Sequence, residues 1–332
     1  MNPRERFLCV MDFKRPDDRL PLLEWAPWWD KTYRRWQNEG LIEPIENLNS
    51  YFDLESLETI RGGGVSAKCP APLYHGAPII SDEESYETIR PYVLNETLIS
   101  SVIRQTESLK EKHDRGDISI RLRLDGFFWF PRSLFGIENH LLAFYDYPEL
   151  MHRINAELSA FNLQVLEKVL CVLKPDMVGF AEDMSYNHGP MLSKELFMEF
   201  LAPYYKQVIP YVKSQGIKVM VDTDGDVTHI IPWLLDVGVD GIFPLERQAG
   251  VDVAEIREKY PHLLMLGAYD KMVMSKGEAF MRAEFERLLP VMKKGGFIPS
   301  VDHQTPPEVS LENYRIYRRL LEEYCIKAMS YD

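Results

Sequence analysis

The stretch that decides the fold runs from residue 217 to residue 246 and reads IKVMVDTDGDVTHIIPWLLDVGVDGIFPLE. The apolar run Ile217–Val221 predicts a strand, Val227–Val237 has the apolar spacing of a helix, and Gly241–Leu245 predicts the next strand. Gly238 is placed to end the helix. Two short strands joined by one helix indicate parallel neighbours in a single sheet.

The same alternation continues on both sides of this stretch. Further strands are predicted at Leu20–Trp25, Asp117–Leu124, Asp176–Ala181, Leu263–Gly267 and Phe297–Val301, and further helices at Leu141–Val172, Lys194–Ser214, Asp252–Tyr260, Gly277–Lys293 and Ser310–Tyr324. Arg34–Pro91, which contains loop-like pieces, is interpreted as insertions and loops over the barrel mouth. Unbroken repetition to the C-terminus predicts an α/β fold, a (β/α)₈ TIM barrel, as a single domain over residues 1–332 with N-terminal loop and helix insertions over its mouth.

Composition limits the classes of partner. The formal net charge of −13 argues against nucleic acid and anionic membrane surfaces. The four cysteines form no CxxC pair, and no apolar run approaches the roughly 18 residues of a membrane helix. The glycine run Gly62–Gly64 lacks the lysine of a phosphate-binding loop, so no nucleotide is expected. We therefore expect a cytoplasmic protein that acts on a small molecule.

Acidic side chains follow almost every predicted strand. In α/β barrels the reacting groups project from the C-terminal ends of the strands. The residues at these positions are Glu24, Asp125, Glu182, Asp183, Asp222, Asp224, Glu246, Tyr269, Asp270, Asp302 and His303. Any one of these carboxylates has the alternative of capping a helix or a turn. The whole set at one face predicts an acidic active site.

A ring of carboxylates needs compensation for its mutual repulsion. A bound divalent metal, a cationic substrate and a shared proton are three solutions, and the sequence leaves all three open. Asp222, Asp224 and His303 are the predicted metal ligands, since carboxylate and imidazole groups bind zinc and similar ions.

Aromatic side chains near the predicted mouth have two interpretations. Trp25, Trp28, Phe128 and Trp129 are predicted to bind substrate, including a quaternary ammonium group through cation–π contacts. Packing in the barrel core or lid is the alternative, because aromatic side chains pack more often than they bind.

Several motifs resemble uroporphyrinogen-decarboxylase-like proteins over nearly the whole chain. They are Arg4-Glu5-Arg6, Pro16–Pro21, Gly189–Ser193, Phe200–Tyr205, Gly238–Gly241, Pro244–Glu246 and Asp302–Asn313. This superfamily of (β/α)₈ barrels includes the true decarboxylases and the zinc-dependent methyltransferases that work with corrinoid proteins.

The differences from the family patterns separate the two activities. The decarboxylases carry an N-terminal Arg-Gln-Ala-Gly-Arg segment, where this chain has Glu24–Trp29 without arginine. The methyltransferases have His-x-Cys at one strand end and Cys at the last, where this chain has Asp222-x-Asp224 and His303. His303 also matches the position of an active-site histidine in the decarboxylases.

The resemblance implies methyl transfer from a small methylated substrate to or from a corrinoid protein. In this interpretation Glu182 is a further ligand or the general acid, Tyr269 and Asp270 orient the substrate, and Asp183 and Glu246 contact it. A homodimer stays open.

Two other functions remain. One is decarboxylation of a uroporphyrinogen-like or other cyclic acid, in which Asp222 or His303 handles the proton. Arg121, Arg123 and Arg132 would then bind carboxylates, although Arg132 alone is expected in a mouth loop. The other is a non-catalytic barrel that binds a ligand.

Overall fold

A curled, all-parallel sheet of seven strands forms the centre of the molecule. The computed structural model describes residues 1–26 and 28–330, so that Pro27, which falls in the Glu24–Trp29 segment, and residues 331–332 lie outside the described part. The strands are β1 Ser56–Gly62, β2 Ile118–Asp125, β3 Met177–Ala181, β4 Ser185–Tyr186, β5 Gly189–Pro190, β6 Lys218–Asp222, β7 Gly241–Phe243, β8 Leu264–Tyr269 and β9 Phe297–Val301. The order in the main sheet is β1-β2-β3-β6-β7-β8-β9, and β4 and β5 form a separate antiparallel pair.

The N-terminal segment closes the gap between β1 and β9. Leu23 makes a parallel bridge with Glu55, directly before β1. On the other side, the Trp25 indole N–H donates to the carbonyl of Val301 at 2.7 Å, and the Ser300 hydroxyl donates to the Glu24 carboxylate at 2.7 Å. The predicted strand Leu20–Trp25 therefore has only one bridge residue, but it takes the eighth place of a TIM-barrel-like fold.

Helices surround the sheet and connect its strands. They are α1 Pro3–Met11, α2 Asp30–Asn38, α3 Leu48–Tyr51, α4 Glu83–Ile89, α5 Glu96–Asp114, α6 Trp129–Phe135, α7 Ile137–Asp146, α8 Pro148–Leu170, α9 Lys194–Leu196, α10 Ala202–Ser214, α11 Ile231–Asp236, α12 Val253–Lys259, α13 Glu278–Met292 and α14 Leu311–Lys327. One core of buried apolar side chains extends from Phe7 to Ala328. In the described part of the chain, no helix is long and apolar enough to cross a membrane.

The structure confirms the second-half alternation and corrects details. Ser193 caps α9 and accepts from the N–H of Leu196 at 3.2 Å, and a π-helical turn at Phe197–Leu201 separates α9 from α10 within the predicted helix Lys194–Ser214. The interpretation of Arg34–Pro91 as insertions and loops over the mouth missed β1, which lies within it. Most of the β1 side chains are half-buried, so the apolar signal that marks the other strands is weak.

Candidate active site at the barrel mouth

A cavity of about 180 Å³ lies at the C-terminal ends of the strands, where α/β barrels carry their active sites. Its walls come from Trp25, Arg123, Trp129, Ala181, Asp183, Asp222, Asp224 and His303. Six of these eight residues were predicted to contact substrate, metal or the reacting atoms. The residues predicted from the strand ends thus lie together at one cavity, and their roles in binding or catalysis stay predictions.

Asp183 and Asp222 lie side by side at the ends of β3 and β6. Burial, with Asp224 nearby, raises the pKa of Asp183 to about 6. Burial also raises the pKa of Asp222 to about 7, against the opposing effect of the Arg121 guanidinium, which is 3.7 Å from its carboxylate. Both groups can therefore hold and release a proton near neutral pH.

The ligating atoms of Asp224, Glu246 and His303 lie within 4.8 Å of one another. The Asp224 carboxylate is 3.6 Å from Nε2 of His303 and raises the pKa of that imidazole. Two carboxylates and one imidazole suit a divalent ion such as Zn²⁺ with an open position for substrate. The predicted ligands Asp224 and His303 are thus together, and Glu246, predicted to contact substrate, joins them, whereas Asp222 faces Arg121.

The turn after β6 and a buried ion pair position this group. Gly225 has φ +80°, its N–H donates to Glu246 at 3.0 Å, and a Cβ there would meet the Tyr186 backbone at 2.7 Å. Glu246 is also 3.7 Å from the ammonium of Lys271. Lys271 donates to the fully buried Asp302 at 3.1 Å. Asp302 therefore lies beneath the site and fixes the Lys271 ammonium next to Glu246.

Glu182 is sealed below the cavity wall. Its carboxylate accepts the backbone N–H groups of Phe127, Phe128 and Trp129 at 2.7–3.0 Å and the hydroxyl of Tyr205. Burial raises its pKa to about 7. The side chain therefore anchors the turn that carries Trp129 into the cavity wall.

The predicted aromatic residues divide between the cavity and the core. Trp25 lines the cavity, with its ring edge-on to His303 at 6.2 Å, and Trp129, at the start of α6, also lines it. Trp28 packs against Trp36 and Tyr314, and the fully buried Phe128 packs against His140. For these last two, the packing interpretation fits the contacts.

Two other predicted site residues have structural contacts. Tyr269 is fully buried against Phe285 and Tyr317, and its hydroxyl is 3.4 Å from the carbonyl of Met281. The Asp270 carboxylate caps the following turn through the N–H of Met272 at 2.8 Å and accepts from Gln248 at 2.6 Å.

Arg123 lines the cavity although the sequence did not predict it at the mouth. Only Arg132 was expected in a mouth loop, yet Arg123 lines the cavity, while Arg132 donates to the carbonyl of Asp183 at 2.8 Å. A signal was available in the alternation of β2. Ile120, Leu122 and Leu124 occupy the face that packs against the helices, which directs the arginines into the barrel.

Comparisons with known proteins agree with this architecture. The family model described as uroporphyrinogen decarboxylase (URO-D) matches residues 75–324, more than half of the chain. A methyltransferase from Methanosarcina mazei is similar in structure, with a TM-score of 0.64 at 14% identity over 98% of this chain and 99% of that one. A β-glycosidase from Thermosphaera aggregans gives a TM-score of 0.47 at 10% identity over 84% of each chain.

At 14% identity, the match to the Methanosarcina mazei methyltransferase shows the fold alone. No curated protein matches the chain closely enough to count as a relative. The family match covers α4 to α14, and so includes seven of the eight cavity residues and the whole Asp224–Glu246–His303 group. The chain belongs to the uroporphyrinogen decarboxylase family.

Proposed function

We propose that this protein removes a methyl group from a small substrate in the mouth cavity and passes it to a corrinoid carried by a partner protein. The observation that carries the proposal is the convergence of Asp224, Glu246 and His303 within 4.8 Å beside that cavity. The name of the Methanosarcina mazei neighbour, a methyltransferase, supports this class of reaction.

Asp224, Glu246 and His303 are the residues that would hold a divalent ion, zinc or a similar metal. Such an ion, when bound, withdraws electron density from the heteroatom that carries the methyl group and so makes it a better leaving group. The cysteine ligands that the family's methyltransferases supply are replaced here by oxygen donors, which favour a harder ion.

Asp183 and Asp222 are placed to supply a proton to the demethylated heteroatom. When the methyl group leaves an alcohol, an ether or a thioether, the bonding electron pair stays on the oxygen or sulfur, which then takes up a proton. A quaternary ammonium group leaves as a neutral amine and needs none. Carboxyl groups with pKa values of about 6 and 7 are partly protonated at neutral pH and can donate one. Trp25 and Trp129 cover the sides of the cavity and limit the access of water.

The proposal is tested with His303→Ala and Glu246→Gln. The purified protein, loaded with Zn²⁺ and dialysed, is measured for metal content, and methyl transfer from methanol, methylamines, methyl ethers and methyl thioethers to cob(I)alamin is followed by absorbance. We expect near-stoichiometric zinc in the unaltered protein, and loss of zinc with a fall in transfer rate of about a hundredfold or more in both variants.

Glu255→Gln is the matched control, because it removes one exposed carboxylate from α12. Its metal content and transfer rate should equal those of the unaltered protein. Zinc retained by His303→Ala, or no transfer from any of the substrates, would count against the proposal.

Decarboxylation of a small acid is the second candidate, and Arg123 in the cavity wall favours it. A cavity of about 180 Å³ is small beside the several hundred Å³ of sites for drug-sized ligands, so an octacarboxylate macrocycle does not fit it as it stands. Release of CO₂ from small cyclic acids, lost in Asp222→Asn, would support this function instead. Ligand binding without any turnover would support a non-catalytic barrel.

A further inference from the structure

Strand β2 directs two arginines into the barrel. Arg121 and Arg123 alternate with Leu122 and Leu124, which are fully buried on the opposite face. Arg123 reaches the mouth cavity, and Arg121 lies one pleat below it, with its guanidinium 5.2 Å from the ring of Phe243. Two cations therefore occupy one side of a site that is otherwise acidic.

Arg121 has unused hydrogen-bond donors. Its side chain is 8% exposed, and its Nε and Nη1 have no hydrogen-bond partner in the described part of the chain. Its nearest carboxylate, that of Asp222, is 3.7 Å from Nη1, which is longer than a hydrogen bond. Buried donors without partners are costly, so their presence beside a cavity indicates a group that the bound state supplies.

Arg123 is also only loosely paired. Its closest ion pair is with Asp125 at 3.7 Å, and that carboxylate already accepts the N–H of Gly64 at 2.8 Å. The Arg123 side chain is 22% exposed, and it faces the cavity. A guanidinium in this position can offer two parallel N–H donors to a planar anion.

The carboxylates closest to the two guanidinium groups lie beyond hydrogen-bonding distance. Asp222 is 3.7 Å from Nη1 of Arg121, and Asp125 is 3.7 Å from Nη1 of Arg123, so both arginines keep donors for an anion in the cavity. Asp224, by contrast, is paired with His303 at the other end of the cavity. The cavity thus has a cationic end at β2 and a metal-ligand end at β6, β7 and β9.

We infer that the substrate is a small methylated carboxylate whose carboxylate group binds Arg123, backed by Arg121, while its methylated heteroatom faces Asp224, Glu246 and His303. This substrate class rests on the proposed methyl transfer. Binding of the carboxylate group to Arg123 can be measured separately from that reaction.

The experiment compares ligands that differ only in the anionic group. Methoxyacetate is paired with 2-methoxyethanol, and N,N,N-trimethylglycine with choline, and their dissociation constants are measured by isothermal titration calorimetry on metal-free protein. In at least one pair the carboxylate should bind about tenfold or more tightly than the neutral-ended analogue, the effect of a charge-assisted hydrogen bond.

Three variants assign that preference to its source. Arg123→Gln should remove the preference, and Arg123→Lys should restore part of it, because lysine keeps the charge but loses the planar fork. Arg104→Gln, which removes the same charge from an exposed position on α5, should leave the preference intact.

Equal affinity within both pairs, a preference that survives Arg123→Gln, or no binding of either carboxylate would overturn the inference. A metal-free protein that prefers the carboxylates but never transfers a methyl group would overturn the proposed reaction and leave the anion subsite in place. The two failures are therefore distinguishable.

Discussion

The carboxylates at the strand ends occupy two different regions, the cavity wall and the layer sealed beneath it. Asp183 lies in the wall, whereas its sequence neighbour Glu182 is fully buried and bonded to three backbone N–H groups. Glu24 and Asp302 are sealed in the same way. The comparison teaches that a strand end brings an acid to the mouth, and that the next loop decides whether the acid meets substrate or protein.

We expect the sealed carboxylates, such as Glu182, to stabilise the fold, and the carboxylates in the cavity wall, such as Asp224, to act in the reaction. Glu182→Ala leaves the N–H groups of Phe127, Phe128 and Trp129 without their acceptor, and we expect the free energy of unfolding in urea to fall by about 3 kcal/mol or more. Asp224→Ala removes a half-exposed carboxylate and should change it by no more than about 1 kcal/mol.

The same two variants should rank in the opposite order when the rate of methyl transfer is measured. Asp224→Ala should abolish it, while folded Glu182→Ala, or the milder Glu182→Gln, should retain a measurable rate. If Glu182→Ala unfolds as readily as the unaltered protein and yet has no activity, then Glu182 acts in the chemistry as the sequence predicted, and the division into two regions fails.

The buried carboxyl group of Glu24 should make the stability of the sealed layer depend on pH. Burial raises its pKa from 4.5 to about 7, although Ser300 and Tyr314 donate to it. The folded state then binds a proton more tightly than the unfolded state, so this contribution to stability is present below pH 4.5 and is lost as the pH rises towards 7.

Glu24→Gln should therefore flatten the decline in the free energy of unfolding between pH 4.5 and 7, as measured by urea titration. A decline should remain, because Glu182 and Asp222 also have raised pKa values. Glu255→Gln, on the exposed face of α12, should reproduce the full slope. If the free energy of unfolding declines as steeply with pH in Glu24→Gln as in the unaltered protein, the Glu24 carboxylate stays ionised in the folded state.

The sequence predicted the barrel well where its strands are apolar and end in glycine or an acid. Asp176–Ala181 and Phe297–Val301 are short, buried runs, and their boundaries matched the structure to within a residue. Ser56–Gly62 was missed because most of its side chains are half-buried, which removes the apolar pattern. Polar residues in a half-buried strand reflect its exposure to solvent and do not exclude an extended backbone.

The candidate site was predicted less completely. The strand-end rule gives the location of a residue but not whether its side chain faces the cavity or is sealed beneath it. It could not separate Glu182 from Asp183, because the difference comes from the turn at residues 126–129, which folds over one carboxylate. Gly126 permits this approach, since a Cβ there would collide with the Glu182 carboxylate. Nor could spacing along the chain bring Glu246 to His303, which depends on how β7 and β9 sit around the barrel.

Replacement of Tyr269 has the smallest expected effect, and it tests directly whether this side chain faces the cavity or the sealed layer. The sequence predicted that Tyr269 orients the substrate in the active site, but the structure places its ring in the sealed layer against Phe285 and Tyr317. Its hydroxyl makes one long hydrogen bond, 3.4 Å, to the Met281 carbonyl. Tyr269→Phe should lower the free energy of unfolding by about 1 kcal/mol or less, because the ring packing is retained.

The methyl-transfer rate should stay within about twofold in the same variant, since the hydroxyl does not reach the cavity. Tyr324→Phe is a matched control, as it removes a tyrosine hydroxyl that bonds to Glu286 on the outer helices. A hundredfold loss of rate in Tyr269→Phe with unchanged stability would mean that the ring turns into the cavity during turnover. The boundary between the wall and the sealed layer would then have to move to include β8.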